Sequence, residues 1–99
     1  MKISQTRKKI IILGAGGTGL LMAESILRAN AADFIGFLDD NTEKQTNGYY
    51  NLPVLGGLNS WREMPDRCLF ISSLYGPEKN VVFFERVKSL GIPYLGGQR

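Results

Sequence analysis

The chain has 99 residues, of which 43% are hydrophobic and 21% are charged. This length and composition are typical of a single soluble globular domain with one core. The net charge of +3 is modest, and part of it comes from basic residues that precede the first predicted strand. It therefore does not indicate nucleic-acid binding. We expect the lead-in, residues 1–7, to be flexible.

The residue counts exclude several kinds of site. The sequence has no histidine, which excludes Ser-His and Cys-His nucleophile pairs, histidine general bases and histidine metal sites. Cys68 is the single cysteine, so we expect no disulfide and no cysteine metal site and interpret this residue as part of the core. No stretch approaches the roughly 20 apolar residues of a membrane span. The first residues lack the apolar core of a secretory signal, so we expect a cytoplasmic protein.

A strand, a glycine-rich turn and a helix are predicted near the start of the chain. Ile10–Leu13 is a short apolar run, typical of a central parallel strand that is buried on both faces. Gly14, Gly16 and Gly19 follow with the spacing G-x-G-x-x-G, and Leu20–Leu27 has apolar residues at helical spacing. The first glycine allows a tight turn, the second a close approach to phosphate, and the third helix–strand packing. This pattern predicts an anion site at the helix start.

Two acidic residues follow the second predicted strand, Asp33–Leu38. Asp39 lies 20 residues after Gly19, a distance that suits a carboxylate accepting hydrogen bonds from ribose hydroxyls. The alternative is that Asp39 and Asp40 only end the strand and begin a turn. Both interpretations place the two carboxylates at the carboxyl end of the strand.

The remaining elements complete an α/β pattern. We predict, in chain order, a loop at Asn41–Leu52, an extended segment at Pro53–Gly57, helical turns at Leu58–Glu63 with Trp61 inward, a strand at Arg67–Leu74, a helix at Glu78–Leu90 after Pro77, and an edge strand at Ile92–Leu95. This order is that of a half-Rossmann fold, one half of a doubly wound, mainly parallel sheet of four to five strands with strand order 3-2-1-4-5.

Further polar residues are predicted near the same edge of the sheet. Ser72 and Ser73 either contact a phosphate or sugar, or hold the end of their strand and the next loop. Thr18 either caps the first helix or touches the ligand. Tyr49 and Tyr50 either stack on a base or cover the apolar underside of their loop. A complete NAD site uses two mononucleotide halves, so a chain with one half suits a mononucleotide or nucleotide-sugar better.

Four segments together resemble a known family. They are KKIIILGAGGTG, IGFLDDN, LPVLGGL and FERVKSLGIP, and they extend from Lys8 to Pro93. They resemble the N-terminal domain of the nucleotide-sugar acetyltransferases of the bacillosamine and sialic-acid pathways. The resemblance implies a Rossmann-like domain that binds the nucleotide-sugar, followed by a left-handed β-helix that binds acetyl-CoA, carries a catalytic histidine and trimerises. The hexapeptide repeats of that β-helix are absent from this sequence.

The resemblance also implies roles for individual residues. By motif, the phosphates would lie against the glycines, which are Gly14, Gly16, Gly17 and Gly19, and the uridine would lie near Asp39 and Asp40. The family often has histidine where this chain has Thr18. The nucleotide-binding domain of membrane-associated nucleotide-sugar dehydratases, epimerases and some sugar-phosphate transferases also has a glycine loop, GFxDD and PVLG. We favour the acyltransferase family because the SLGIP ending resembles its approach to the β-helix.

Our prediction is a domain of a sugar acetyltransferase of polysaccharide biosynthesis that binds the nucleotide-sugar, in the first instance a UDP-sugar, and has no catalytic residue of its own. The alternatives are a module that binds NAD(P) or CoA, and a degenerate Rossmann domain that only contacts other proteins. Acetyl-CoA and a homo-oligomer are expected only with the β-helix. The predicted binding residues are Gly14, Gly16, Gly17, Thr18, Gly19, Asp39, Asp40, Ser72 and Ser73.

Overall fold

The computed structural model describes residues 7–76 and 78–96. Five parallel strands form one sheet in the order β3-β2-β1-β4-β5. The elements are β1 Lys9–Leu13, α1 Gly17–Ala29, β2 Asp33–Leu38, α2 Thr42–Asn47, β3 Val54–Gly56, a 3₁₀ helix Leu58–Glu63, β4 Cys68–Ser72, α3 Val81–Leu90 and β5 Tyr94–Leu95. The predicted fold class and strand order are confirmed.

The central strand β1 supplies both faces of the core. Ile10 and Ile12 pack on the α1 side of the sheet, together with Ala23 of the helix. Ile11 and Leu13 pack on the opposite side, against Val87 of α3. Successive side chains of a strand point to opposite faces, so an unbroken apolar run is stable only where both faces are covered. The predicted burial of β1 is confirmed.

The polar segment that was predicted as a loop contains the short helix α2, so the prediction of a loop without its own structure is wrong. The Asn41 side chain accepts a hydrogen bond from the Lys44 backbone N–H at 2.9 Å and caps this helix. Helix α2 buries none of its residues, so it has no apolar stripe that the sequence would show. An N-cap and neighbouring contacts therefore stabilise a helix that periodicity does not predict.

Two other helices begin at different residues than predicted. Helix α1 begins at Gly17, three residues before the apolar spacing starts. Helix α3 begins at Val81 and not at Glu78, because the backbone N–H groups of Lys79 and Asn80 donate to the Gly76 carbonyl in a preceding turn. Pro77, predicted at the first helical position, lies outside the described residues.

The aromatic residues mostly join the core. Trp61 packs edge-to-face on Phe70, and its indole N–H donates to the Leu90 carbonyl at 3.1 Å. Tyr49 is half-buried against Phe37, with ring centroids 6.0 Å apart. The structure therefore shows Tyr49 covering the apolar underside of its segment. Tyr50 is exposed.

The structure also bears on two expectations from composition, the burial of Cys68 and the lack of a membrane span. Cys68 is only half-buried, and this burial raises the pKa of its thiol. Among residues 7–76 and 78–96, we find no helix with the length and apolar character needed to cross a bilayer.

Candidate functional site

The candidate site lies at the carboxyl edge of the sheet, where β1, β2 and β4 end. The glycine turn, residues 14–16, joins β1 to α1 at this edge. Its first residue donates a backbone hydrogen bond to Leu38 at the end of β2 (2.8 Å), and Ser73 after β4 donates one to Leu13 (3.0 Å). The strand order reverses between β1 and β4, and crevices at such switch points are where open α/β sheets bind ligands. The structure therefore brings the predicted site residues to one edge.

Gly14 and Gly19 are required by packing. Gly14 has a φ of +96°, and a Cβ atom there would lie 2.6 Å from the Ser73 hydroxyl oxygen. A Cβ atom on Gly19 would lie 2.5 Å from the Gly14 carbonyl oxygen and 3.2 Å from the Phe37 ring. The tight turn predicted for the first glycine and the helix–strand packing predicted for the third are what the structure shows.

Gly16 and Gly17 face open space. Apart from its chain neighbours and the backbone of α1 itself, a Cβ atom on either residue would have no atom of residues 7–76 and 78–96 within 4 Å. Gly16 is the N-cap residue of α1, and no side chain caps this helix or places a negative charge in its first turn. Within the described part of the chain, the amides of Gly17, Thr18 and Gly19 donate to no protein acceptor. We call residues 16–19 the open start of α1, and it can accept an anion.

Thr18 is exposed in the open start of α1. The capping role considered for it is wrong, because the N-cap is Gly16 and no side-chain cap bond is formed. Its hydroxyl also makes no hydrogen bond within residues 7–76 and 78–96. Contact between Thr18 and a ligand stays a prediction.

Asp39 joins the glycine turn to the start of α2. One carboxylate oxygen accepts a hydrogen bond from the Ala15 amide at 2.7 Å, and the other accepts one from the Asn41 amide at 2.8 Å. The turn-forming role considered from the sequence is therefore present. Each carboxylate oxygen has a second lone pair, so Asp39 retains acceptor capacity for a ribose hydroxyl, and that contact stays a prediction.

Asp40 is held by two other elements. Its carboxylate accepts a hydrogen bond from the Leu58 amide at 2.9 Å. It also forms an ion pair with the guanidinium of Arg86 on α3, at an N–O distance of 2.8 Å. Partial burial raises the pKa of Asp40, but the hydrogen bonds from Arg86 and Leu58 and the charge of Arg86 outweigh burial and hold the pKa below its ordinary value. Asp40 also raises the pKa of Arg86. Contact between Asp40 and a ligand stays a prediction.

Two residues of α2 reach the site, and sequence reasoning missed both. The Lys44 ammonium donates to the Ala15 carbonyl in the glycine turn and lies 4.7 Å from the centre of the Tyr49 ring. The Gln45 side-chain amide donates to the Asp39 carbonyl at 2.7 Å. No signal in the sequence would have identified them, because α2 itself was not predicted.

The two serines at the end of β4, Ser72 within the strand and Ser73 directly after it, are buried and bonded to the backbone. The Ser73 hydroxyl lies 2.9 Å from the carbonyl oxygens of both Leu13 and Gly14, and its single proton is shared between these two acceptors. The Ser72 hydroxyl donates to the Leu74 carbonyl and accepts from the Leu74 amide. Both hydroxyls therefore hold the strand end and the adjacent loop, which was the alternative considered. Contact with a ligand stays a prediction for both.

A cleft of about 140 Å³ opens beside the glycine turn. Its lining residues are Gly14, Asp39, Asp40, Leu58, Val82, Phe83 and Arg86. Its walls are mainly apolar, with the Asp40–Arg86 pair among its charged groups. Pockets for drug-sized ligands occupy about 300–1,000 Å³, so this cleft suits only one part of a nucleotide-sized ligand. The described residues include no cluster of acidic or cysteine side chains that could hold a metal ion.

Comparison with models of known protein families shows to which family this chain belongs. A family model described as the PglD N-terminal domain matches residues 9–73, which is more than half of the chain. The chain belongs to this family. The matched PglD N-terminal segment begins with β1 and ends at Ser73, so it includes the glycine turn, both aspartates and Lys44.

A solved structure supports the same assignment. The chain is similar to the acetyltransferase domain of PglB from Neisseria gonorrhoeae FA1090, a structure in complex with acetyl coenzyme A. The two are 25% identical with a TM-score of 0.59, and the match covers 87% of this chain and 41% of that chain. This PglD N-terminal domain thus spans less than half the length of the matched protein. No curated protein sequence gives a significant match. The predicted resemblance to the N-terminal domain of the bacillosamine acetyltransferases is confirmed.

Proposed function

We propose that this domain binds a nucleotide-sugar, in the first instance a UDP-sugar, as the substrate-binding part of a sugar acetyltransferase. The observation that carries the proposal is the open start of α1. There the side-chain-free positions Gly16 and Gly17 border open space, and the first amides of the helix have no acceptor among the described residues. Membership in the PglD N-terminal family supports the same function.

A diphosphate suits the open start of α1 for two physical reasons. The unpaired amides and the positive end of the helix dipole both stabilise an anion. The first turn of α1 has no acidic residue to repel it, and Gly16 has no side chain to block its approach. Diphosphate oxygens would therefore replace water as acceptors for these amides.

The size of the domain favours a nucleotide-sugar over a complete dinucleotide cofactor. The sheet supplies one mononucleotide half, whereas dinucleotide sites of this fold use two. The cleft beside the glycine turn has apolar walls from Leu58, Val82 and Phe83 and polar groups from the two aspartates. In our proposal it takes part of the nucleoside, with Asp39 available to a ribose hydroxyl.

Acetyl transfer itself is assigned to residues outside this chain. The sequence has no histidine, so it offers no imidazole base to deprotonate an acceptor amine or hydroxyl. We propose that a separate β-helix supplies acetyl-CoA binding, catalysis and assembly, and that the protein acts in the cytoplasm in polysaccharide biosynthesis.

Titration calorimetry on the 99-residue chain tests the binding function. We expect UDP-GlcNAc and UDP to bind, uridine to bind much more weakly because it lacks phosphate, and NADH and CoA not to bind. Binding of NADH or CoA without a response to UDP-GlcNAc would replace the proposal with the cofactor-binding alternative. Absence of binding for all of these compounds would favour the protein-interaction module.

A further inference from the structure

Ala15, the middle residue of the glycine turn, is held between two opposite charges. Its amide donates to the Asp39 carboxylate at 2.7 Å, and its carbonyl accepts from the Lys44 ammonium. Ala15 itself is only 2% exposed, so these contacts fix a buried part of the turn. Hydrogen bonds to charged groups are stronger than those between neutral groups, so both contacts restrain the backbone strongly.

The contact with Lys44 also determines the direction of the next amide. The Ala15 carbonyl and the Gly16 N–H belong to the same peptide group, and the described residues contain no cis peptide bond. In a trans peptide the carbonyl and the N–H point to opposite sides. With its carbonyl directed to Lys44, this peptide therefore points the Gly16 N–H away from α2. Within the described residues that N–H has no protein acceptor.

The Lys44 ammonium is placed in advance by its own contacts. The Lys44 backbone amide donates to the Asn41 side chain at 2.9 Å, which fixes the first turn of α2. The ammonium lies 4.7 Å from the centre of the Tyr49 ring, a favourable cation–π distance, and Tyr49 packs on Phe37 of the core. Little side-chain freedom remains to be lost when a ligand arrives.

We propose that Lys44 is a positioning residue for the anion at the open start of α1, an inference that rests on the proposed nucleotide-sugar binding. By donating to the Ala15 carbonyl, Lys44 orients and polarises the Ala15–Gly16 peptide, and the Gly16 N–H becomes a stronger donor to a phosphate oxygen. The positive charge of Lys44 adds an attraction that only the phosphorylated part of the ligand experiences.

The experiment compares Lys44→Met with Lys8→Met. Methionine keeps the length and packing of the Lys44 side chain and removes its charge and hydrogen bond. Lys8 is an exposed lysine before β1, at the opposite end of that strand and roughly 20 Å from the glycine turn at about 3.3 Å per residue. The two variants therefore lose the same charge, but only the first loses the contact with Ala15. Lys44→Arg restores the charge.

Two measurements are made on each variant. In amide NMR spectra without ligand, we expect the Gly16 resonance to shift in Lys44→Met and to stay in place in Lys8→Met. By calorimetry, Lys44→Met should weaken UDP binding about tenfold, which corresponds to one hydrogen bond to a charged group, and change uridine binding by less than about twofold. Lys44→Arg should recover part of the UDP affinity.

The outcomes separate this inference from the proposed function. An unchanged Gly16 resonance in Lys44→Met overturns the positioning role whether or not any nucleotide binds. Equal loss of UDP and uridine binding also overturns it, because a merely structural lysine would affect both. If the wild-type chain binds no nucleotide, the proposed function and the anion role of Lys44 both fail. If UDP binds equally well to the wild type and Lys44→Met, only the role of Lys44 fails.

Discussion

Helices α1 and α2 both begin at the candidate site, but they differ in whether a side chain accepts a hydrogen bond from their first amides. At α2, the Asn41 side chain accepts from the Lys44 amide, and the start of the helix is closed by the protein. At α1, the N-cap residue Gly16 has no side chain, and no side chain of the described residues caps the helix. Replacing a capping Asn or Asp by glycine costs a helix only a few tenths of a kcal/mol. The chain bears that small cost at α1, where the amides stay open to an external acceptor.

Asp39 connects the two helix starts. The same carboxylate binds the Ala15 amide before α1 and the Asn41 amide before α2. The closed start of α2 thereby supports the open one, because Asp39 and Lys44 together hold Ala15. The comparison teaches that the open start of α1 is held by a neighbouring segment whose own polar groups are satisfied.

The largest expected effect on UDP affinity comes from a substitution that places a capping side chain at the open start of α1. Gly16→Asp places a carboxylate at the N-cap of α1, where the extended backbone (φ −140°, ψ −166°) is compatible with a capping residue. We expect UDP binding to weaken about a hundredfold or more, since the carboxylate repels the diphosphate and occupies its donors. The free energy of unfolding should change by only a few tenths of a kcal/mol, because Gly is itself an accepted N-cap.

The control for Gly16→Asp is Ser25→Asp, which adds the same charge to an exposed position roughly 13 Å further along α1 at about 1.5 Å per residue. It should leave UDP affinity almost unchanged. Gly16→Val should also abolish binding, by steric exclusion alone. A folded Gly16→Val protein with wild-type affinity would show that the phosphates do not approach this glycine.

Removing the carboxylate that links the two helix starts should have the next largest effect. Asp39→Ala deletes the acceptor for the Ala15 and Asn41 amides, and we expect the free energy of unfolding to fall by about 2 kcal/mol. UDP affinity should fall as well, because the glycine turn loses a restraint. Urea unfolding and calorimetry measure the two effects. If affinity falls while stability does not, Asp39 acts on the ligand and not on the turn.

Removing the side-chain cap of α2 should have a smaller effect on the free energy of unfolding than the loss of Asp39. Asn41→Ala removes the cap of α2 and should lower the free energy of unfolding by about 1 kcal/mol in urea titrations. Asn59→Ala is a suitable control, since Asn59 is an exposed asparagine of the 3₁₀ helix whose side chain is not hydrogen-bonded within the described residues. Equal stability of the two variants would contradict the role assigned to the Asn41 cap.

The smallest effect is expected from the ion pair at the cleft. Arg86→Met should lower stability at pH 7 only slightly, because the partners Arg86 and Asp40 are 40% and 45% exposed and water screens the pair. The folded-state pKa of Asp40 is lowered, so the pair contributes above the ordinary pKa of 3.8 and its contribution disappears as pH falls through the lower folded value. The difference between wild type and Arg86→Met should therefore shrink below about pH 4. A difference that grows on acidification would contradict this assignment.

The open start of α1 was accessible from sequence, and the closed start of α2 was not. The spacing of Gly14, Gly16 and Gly19 after an apolar run predicted the turn, because local backbone requirements dictate glycine there. Helix α2 buries no residue, so it left no periodic signal, and with it the positions of Lys44 and Gln45 went unpredicted. The Asp40–Arg86 contact joins residues 46 positions apart, and no local pattern encodes it.

By itself, the sequence determined the parallel sheet, its strand order and the edge at which polar groups gather. Hydrophobic runs and glycine positions act locally, and an alternating β/α order allows few arrangements. Only the tertiary structure decided which of these polar groups form hydrogen bonds with other parts of the chain. Ser73 and Asp39 are bonded to backbone groups, while the amides of residues 17–19 have no acceptor in the described part of the chain. Hydrogen-bond partners of this kind depend on which distant segments meet at the edge of the sheet.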